Sequence, residues 1–392
     1  MANPQVPQPI AELLAHKKVV VCVGAGGVGK TTASAALGVA AARMGKRTLV
    51  LTVDPARRLA NALGLQSFDE QVQRIPIEAF AAQGCLVTQP LDAAMLDVKK
   101  TFDRVVSRYA RTPEGRDRIL NHPFYQQAST ALAGSQEYMA VERLYESATG
   151  GDYDLVVLDT PPSAHALDFL EAPDRLVDLF DSGAFRLLLK SRLRANPFKG
   201  GSMVMRGLSK FTGAEMFGHL LEFFVDLSET FDGFVQRARD AQGLLRGPDT
   251  AFVLVAACDD VSTDQALYLG EKLTEQQMLV GAFVVNRVTP FAPGPAHAGA
   301  ELETDLETLL RDAGWHGTPG DARDPHRTAQ AMAQIARQMG QLAQADRAHL
   351  QAVRNRLAGR IPVVPVPRSD EEPDTLAGLY RLSLSLAGQD AV

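Results

Sequence analysis

The run Gly24-Ala25-Gly26-Gly27-Val28-Gly29-Lys30-Thr31-Thr32 constrains this chain more than any other feature. It fits the pattern G-x-x-x-x-G-K-[ST], with an apolar β-branched run before it and an alanine-rich run behind it. Glycines let successive backbone N–H groups turn toward one point, and a helix starting there adds its positive end. Such a unit cradles a phosphate chain. In this reading Gly24, Gly26, Gly27, Val28 and Gly29 line the cradle, and Lys30 reaches the β- and γ-phosphates. Thr31 offers a hydroxyl to Mg²⁺, and Thr32 supports the α-phosphate.

Strand signals recur at 19–23, 48–53, 155–158, 251–257, 282–286 and 361–366, alternating with helical runs at 32–44, 136–147, 263–273 and 328–357. This pattern predicts an α/β fold, a doubly wound, mostly parallel sheet of the P-loop NTPase type with an inserted helical subdomain. The expected organisation is a nucleotide-binding core in two parts, 18–172 and 247–388, interrupted by a helical insert at 173–246. Val156-Val157-Leu158-Asp159 is an apolar strand ending in an acid, which suits Asp159 to hold Mg²⁺ through water. Asp54 follows the second strand, at the same sheet edge, where a carboxylate can orient or partly deprotonate an attacking water. With Pro55 behind it, Asp54 also reads as a helix N-cap, and both roles stand together.

Composition narrows the setting. The 392 residues are 46% hydrophobic with a net charge of −6, enough for a large core and no global reason for nucleic-acid binding. The first ten residues are proline-rich and uncharged, and no run spans a bilayer, so a cytoplasmic protein is expected. Cys22, Cys85 and Cys258 are dispersed and form no CxxC; they read as small core hydrophobes.

Four segments together resemble the arsenite-pump and tail-anchored-protein-targeting ATPases, a branch of the deviant P-loop ATPases. They are Gly24 to Thr32, then Thr52-Val53-Asp54-Pro55-Ala56-Arg57-Arg58-Leu59, Asp159-Thr160-Pro161-Pro162-Ser163-Ala164-His165, and Val284-Val285-Asn286-Arg287-Val288. Ser135-Gln136-Glu137 stands where the family opens a helix with a short acidic signature. The resemblance implies ATP and Mg²⁺ as ligands, with Lys30, Asp54 and Asp159 as the catalytic set. It makes Thr160, Pro161 and His165 a switch and puts Asn286 and Arg287 on the adenine side. It also implies a homodimer, or a heterodimer with a related subunit. Two departures matter. The family's first loop lysine, which crosses to the partner's nucleotide, is Ala25 here. Arg57 or Arg58 would replace it as a finger, a non-identical partner would carry it, or those arginines are simply solvated. The zinc-binding CxxC is also absent before the long helix, and His316 and His326 read as solvated loop residues, so no zinc is expected.

The insert has two faces to explain. Met216, Leu220, Phe223, Phe224 and Leu227 recur at helical spacing, as do Phe231 and Phe234, either to pack on the core or to line a groove for a hydrophobic protein segment. The stretch 183–212 carries Arg186, Lys190, Arg192, Arg194, Lys199, Arg206 and Lys210 with no acid. It reads as a solvated loop paired to acids elsewhere, or as a peripheral contact with an anionic membrane. The preferred expectation is a dimeric Mg-ATPase switch that captures and releases a hydrophobic protein segment. Alternatives are the energising subunit of an anion or metalloid exporter, and a weakly hydrolysing, nucleotide-gated scaffold.

Overall fold

Strand β1 is Val19–Gly24, β2 Thr48–Thr52, β3 Gln73–Ile75, β4 Leu91–Met95, β5 Leu155–Asp159, β6 Thr250–Ala257, β7 Val280–Val288 and β8 Val363–Pro367. They form one sheet in the order β3-β4-β2-β5-β1-β6-β7-β8. The computed structural model describes residues 9–53, 58–65, 71–123, 125–126, 135–161, 178, 231–290, 300–318, 321, 323–369 and 375–387. Asp54, Arg57, His165, the five groove candidates Met216, Leu220, Phe223, Phe224 and Leu227, and the basic stretch 183–212 lie outside these residues, as does the side chain of Arg58.

Every pairing is parallel except β3 with β4. The mostly parallel, doubly wound sheet expected from the alternating pattern is therefore the observed one. Each of its six expected strands is present, and β3 and β4 are additional. The register shows why parallel strands read as unbroken apolar runs: alternate residues enter opposite cores. Val19, Val21 and Val23 join helices Val98–Tyr109, Ser135–Thr149, Phe231–Arg246 and Asp260–Glu275 on one face. Val20 and Cys22 join helices Pro9–His16, Lys30–Arg43 and Leu376–Ala387 on the other. Helix Lys30–Arg43 is built of small residues because it lies close on the sheet. A Cβ added at Gly38 would collide with Val50 and stand 3.2 Å from Leu91.

Strand β1 sits between β5 and β6, and the chain leaves it in opposite directions before and after β5. The carboxyl ends at the point where strand order reverses are where such sheets take ligands. Gly24, Thr52, Asp159 and Asn286 all stand at or near those ends.

A buried ion pair ties the helices on one face together. Arg237 Nε donates to both Glu142 oxygens, at 2.9 and 3.1 Å, and its guanidinium lies 4.1 Å from the Tyr145 ring centre. Burial raises the Glu142 carboxyl above its ordinary range, and the nearby Arg237 charge draws it back. Glu142 and Arg237 join the helix leading into β5 to the helix leading into β6. Ala238, Ala241 and Leu245 of the latter are fully buried in the core. Arg237→Met should cost about 3–5 kcal/mol by stranding a buried carboxylate, and adding Glu142→Leu should recover most of it. Urea denaturation of the single and double variants measures this; equal stability of wild type and Arg237→Met would remove the pair's assigned weight.

Candidate functional site

The glycine loop leaves β1 under a backbone constraint. A Cβ on Gly24 would strike the carbonyl of Val255 in β6, so the strand end admits no side chain there. Gly27 and Gly29 have φ of 78° and 96°, the left-handed region in which L-residues are strained. Alternating such residues curls the backbone into a concavity of N–H groups. A Cβ on Gly27 would meet nothing within 4 Å, whereas one on Gly29 would strike the Asn286 amide. Gly29 caps helix Lys30–Arg43 without any side-chain hydrogen bond, and the first turn holds no acid. Most helices place an acid or hydroxyl cap here; a first turn with Lys30 and no acid suits a bound anion.

Lys30 is almost fully buried, and its Nζ donates to the Ala25 carbonyl across the loop at 2.7 Å. The Ala25 side chain is buried, while Gly26 and Gly27 face outward. Asp159 ends β5 and is 1% exposed. Its Oδ2 accepts from Thr31 Oγ1 at 2.7 Å and from Thr52 Oγ1 at 3.0 Å. The second contact follows from register, since Thr52 stands opposite Asp159 on the neighbouring strand. Thr160 Oγ1 donates to the Cys22 carbonyl at 2.7 Å, anchoring the chain leaving β5 to β1; Pro161 follows it. A hydroxyl and a carboxylate in contact at a helix N-terminus form a hard-oxygen donor set of the kind Mg²⁺ takes with phosphates. The open glycine concavity, the acid-free helix start and the Thr31–Asp159 pair fit a Mg-nucleotide. Thr32 lies in the first turn of the same helix, half-exposed.

Asn286, near the end of β7, reaches the loop from the opposite side. Its Nδ2 donates to the Val28 carbonyl at 2.8 Å, and its Oδ1 accepts from the Arg287 backbone N–H at 2.9 Å. Arg287 itself holds a φ of 61° and is exposed. The structure thus brings Gly24 to Thr31, Asp159 and Asn286 into one cluster. The long helix starts at Pro325, three residues before the expected 328, with Asp324 as its cap. His326 is consequently a first-turn residue rather than a loop residue. Its Nδ1 hydrogen-bonds Glu307 at 2.8 Å, and this raises its pKa. Among the described residues no group of three or more His, Cys, Asp or Glu side chains could hold a metal ion, and no helix is long and apolar enough to cross a membrane. Thr52 opens a matched segment but was given no role there; the structure gives it one, a hydroxyl at the end of β2 bonded to Asp159.

Comparison with known proteins bears on the same residues. A family model described as anion-transporting ATPase matches residues 17–294. A putative arsenical pump-driving ATPase of Chlorobaculum tepidum is 32% identical over 161 residues, covering 41% of this chain and 36% of that protein. An ATPase GET3 of Malassezia globosa is 30% identical over 172 residues, covering 43% of this chain and 47% of that protein. An ATPase get3 of Aspergillus terreus is 24% identical over a longer stretch of 265 residues, 68% of this chain and 71% of that protein. The match thus spans about a third to a half of the length of the first two.

The geometry makes a test of Thr52. Thr52→Val keeps the shape and removes one donor from a buried carboxylate, so stability should fall by about 1–3 kcal/mol. Denaturant unfolding checks this, and an unchanged midpoint would mean that the Thr52 bond contributes nothing.

Proposed function

The chain belongs to the anion-transporting ATPase family, and from that membership we propose that it is a Mg-dependent ATPase acting as a nucleotide-driven dimeric switch. The observation that carries the reading is the Asp159 carboxylate receiving the Thr31 and Thr52 hydroxyls beside Lys30. Thr31 and Asp159 would hold Mg²⁺, which when bound supplies neutralisation of charge on the β- and γ-phosphate oxygens. The loop N–H groups and Lys30 position the phosphate chain of ATP, with Lys30 exchanging the Ala25 carbonyl for phosphate oxygens. Asp54, two residues past Thr52, orients a water for attack on the γ-phosphorus; the bond to the bridging oxygen breaks, leaving ADP and phosphate. Asn286 braces the loop from the nucleoside side.

Thr160 and Pro161 begin the segment that senses the γ-phosphate, through the same strand whose acid touches Thr31. His165 and the residues after it carry that change to the 173–246 segment. There Met216, Leu220, Phe223, Phe224 and Leu227 would meet a hydrophobic protein segment, and 183–212 an anionic membrane surface. The output would be capture and release of a hydrophobic protein segment. The exporter reading, which the name of the Chlorobaculum relative suggests, needs soft ligands for a metalloid. Cys22 and Cys85 are buried, and Cys258 is half-buried just past β6. Burial pushes the Cys22 and Cys258 thiols up to about 12, helped at Cys258 by the nearby Asp346. Such dispersed, protonated thiols favour the targeting reading over the exporter.

Ala25 carries no cation, so the one that the family places there has to come from elsewhere. Either Arg57 or Arg58, or a partner subunit with a lysine, would supply the missing cation; without one, turnover drops by the about 10³–10⁵ that such cations contribute. Lys30→Ala should abolish MgATP binding and hydrolysis, while Asp54→Asn should retain binding and lose about 10²-fold or more in turnover. Nucleotide binding and single-turnover hydrolysis measure the two separately; normal turnover in Asp54→Asn would remove its role.

A further inference from the structure

Strand β7 ends in a strained turn that is held from both sides, and one of the holds comes from the long helix Pro325–Leu357. The ladder to β6 ends at Asn286, opposite Ala257, and the ladder to β8 is irregular between Val285 and Val288. Between these points Arg287 has its φ of 61°. An L-residue is strained there, and the conformation persists only where its surroundings over-determine it. Ahead of Arg287, the Cys258 N–H donates to the Asn286 carbonyl at 3.1 Å, and Asn286 Oδ1 accepts the Arg287 N–H at 2.9 Å. Behind it, the Arg368 N–H donates to the Val288 carbonyl at 2.7 Å, and the Thr289 N–H donates to Asp346 Oδ2 at 2.7 Å. Asp346 is on the long helix, and its charge makes this bond the stronger kind. Thr289 is buried, so its N–H has little water to turn to without that carboxylate.

Other residues dock this helix. His349 contacts Asp260 and Thr263 at 3.1 and 2.9 Å, and Arg356 bonds Asp264 at 2.6 Å. Leu350, Val353 and Leu357 are buried in the core. The Asp346 carboxylate therefore serves the strand end more than its own helix. What the turn aims is Asn286, whose Nδ2 donates to the Val28 carbonyl of the glycine loop at 2.8 Å. The Val28–Gly29 peptide is trans, so a carbonyl directed at Asn286 sends the Gly29 N–H the opposite way, toward the glycine concavity. A Cβ on Gly29 would strike the same Asn286 amide, so the side chain sits hard against this peptide.

We propose that Asp346 is a positioning residue for the phosphate chain: by holding Thr289 it keeps the turn at Arg287, which sets Asn286 against Val28 and so presents the Gly29 N–H to phosphate. This rests on the Mg-nucleotide reading of the site. It adds to that reading a residue that lies outside the glycine loop and outside every matched segment.

The test is calorimetric binding of MgATP and of magnesium tripolyphosphate, which has a phosphate chain and no nucleoside. Asp346→Ala should weaken both ligands by the same factor, about tenfold, the scale of one lost hydrogen bond to a charged group. Asp346→Asn keeps an oxygen acceptor for the Thr289 N–H and should restore most of that loss. Since Asp346 acts through Asn286, Asp346→Ala should cost nothing further in an Asn286→Ala background. Circular dichroism checks that each variant is folded. Losses that add in the double variant, a loss confined to MgATP, or undiminished binding by Asp346→Ala would each overturn the proposal. An Asp346→Ala chain that does not fold would overturn it too, because the carboxylate would then be holding the fold and not the turn. A wild type that binds neither ligand would remove the nucleotide reading itself, and the proposal with it.

Discussion

One carboxylate oxygen joins the central sheet to the loop that follows its middle strand. Asp159 Oδ2 accepts the Thr52 hydroxyl from β2 and the Thr31 hydroxyl from the helix that opens after the glycines. A buried acid is tolerated only when donors surround it, so strand register, helix start and loop path must agree for this oxygen to be satisfied. The glycines make that agreement attainable. Gly24 lets β1 end against the Val255 carbonyl, and Gly29 lets the helix begin against Asn286. The site is therefore a consequence of how β1, β2, β5 and β7 end together, rather than a feature of the loop alone.

The same strand ties the site to the helices on one face of the sheet. The strand carrying Asp159 is fed by helix Ser135–Thr149, and that helix is clamped through Glu142 to Arg237 on helix Phe231–Arg246. An ion-paired helix layer on one face and the residues Thr160 and Pro161 leaving β5 both adjoin the strand that carries Asp159. Lys30 illustrates the economy of the loop, since the carbonyl it holds belongs to Ala25, the position at which the family carries a second lysine.

Much of this was legible in the sequence, for identifiable reasons. Valine-rich runs betrayed β1, β5, β6 and β7 because strands buried on both faces need apolar residues on both sides. β4 was invisible because Leu91-Asp92-Ala93-Ala94-Met95 has little β-propensity; Asp92 is buried there by Arg74 at 2.8 Å and Tyr153 at 3.1 Å, partners distant in sequence. β3 is three residues on an edge, too short for any period. Lys30, Thr31 and Asp159 announced themselves through a motif with a mechanism. Thr52 and the Glu142–Arg237 pair did not, because their importance arises only from register and from helices meeting across the core.

The central claim is that the glycine loop and the Asp159 cluster form one Mg-nucleotide site. Calorimetric titration of the wild-type protein with ATP, with and without Mg²⁺, tests it most directly. One ATP per chain should bind, tightly with Mg²⁺ and much more weakly without it. Equal affinity in both conditions, or no binding in either, would contradict it.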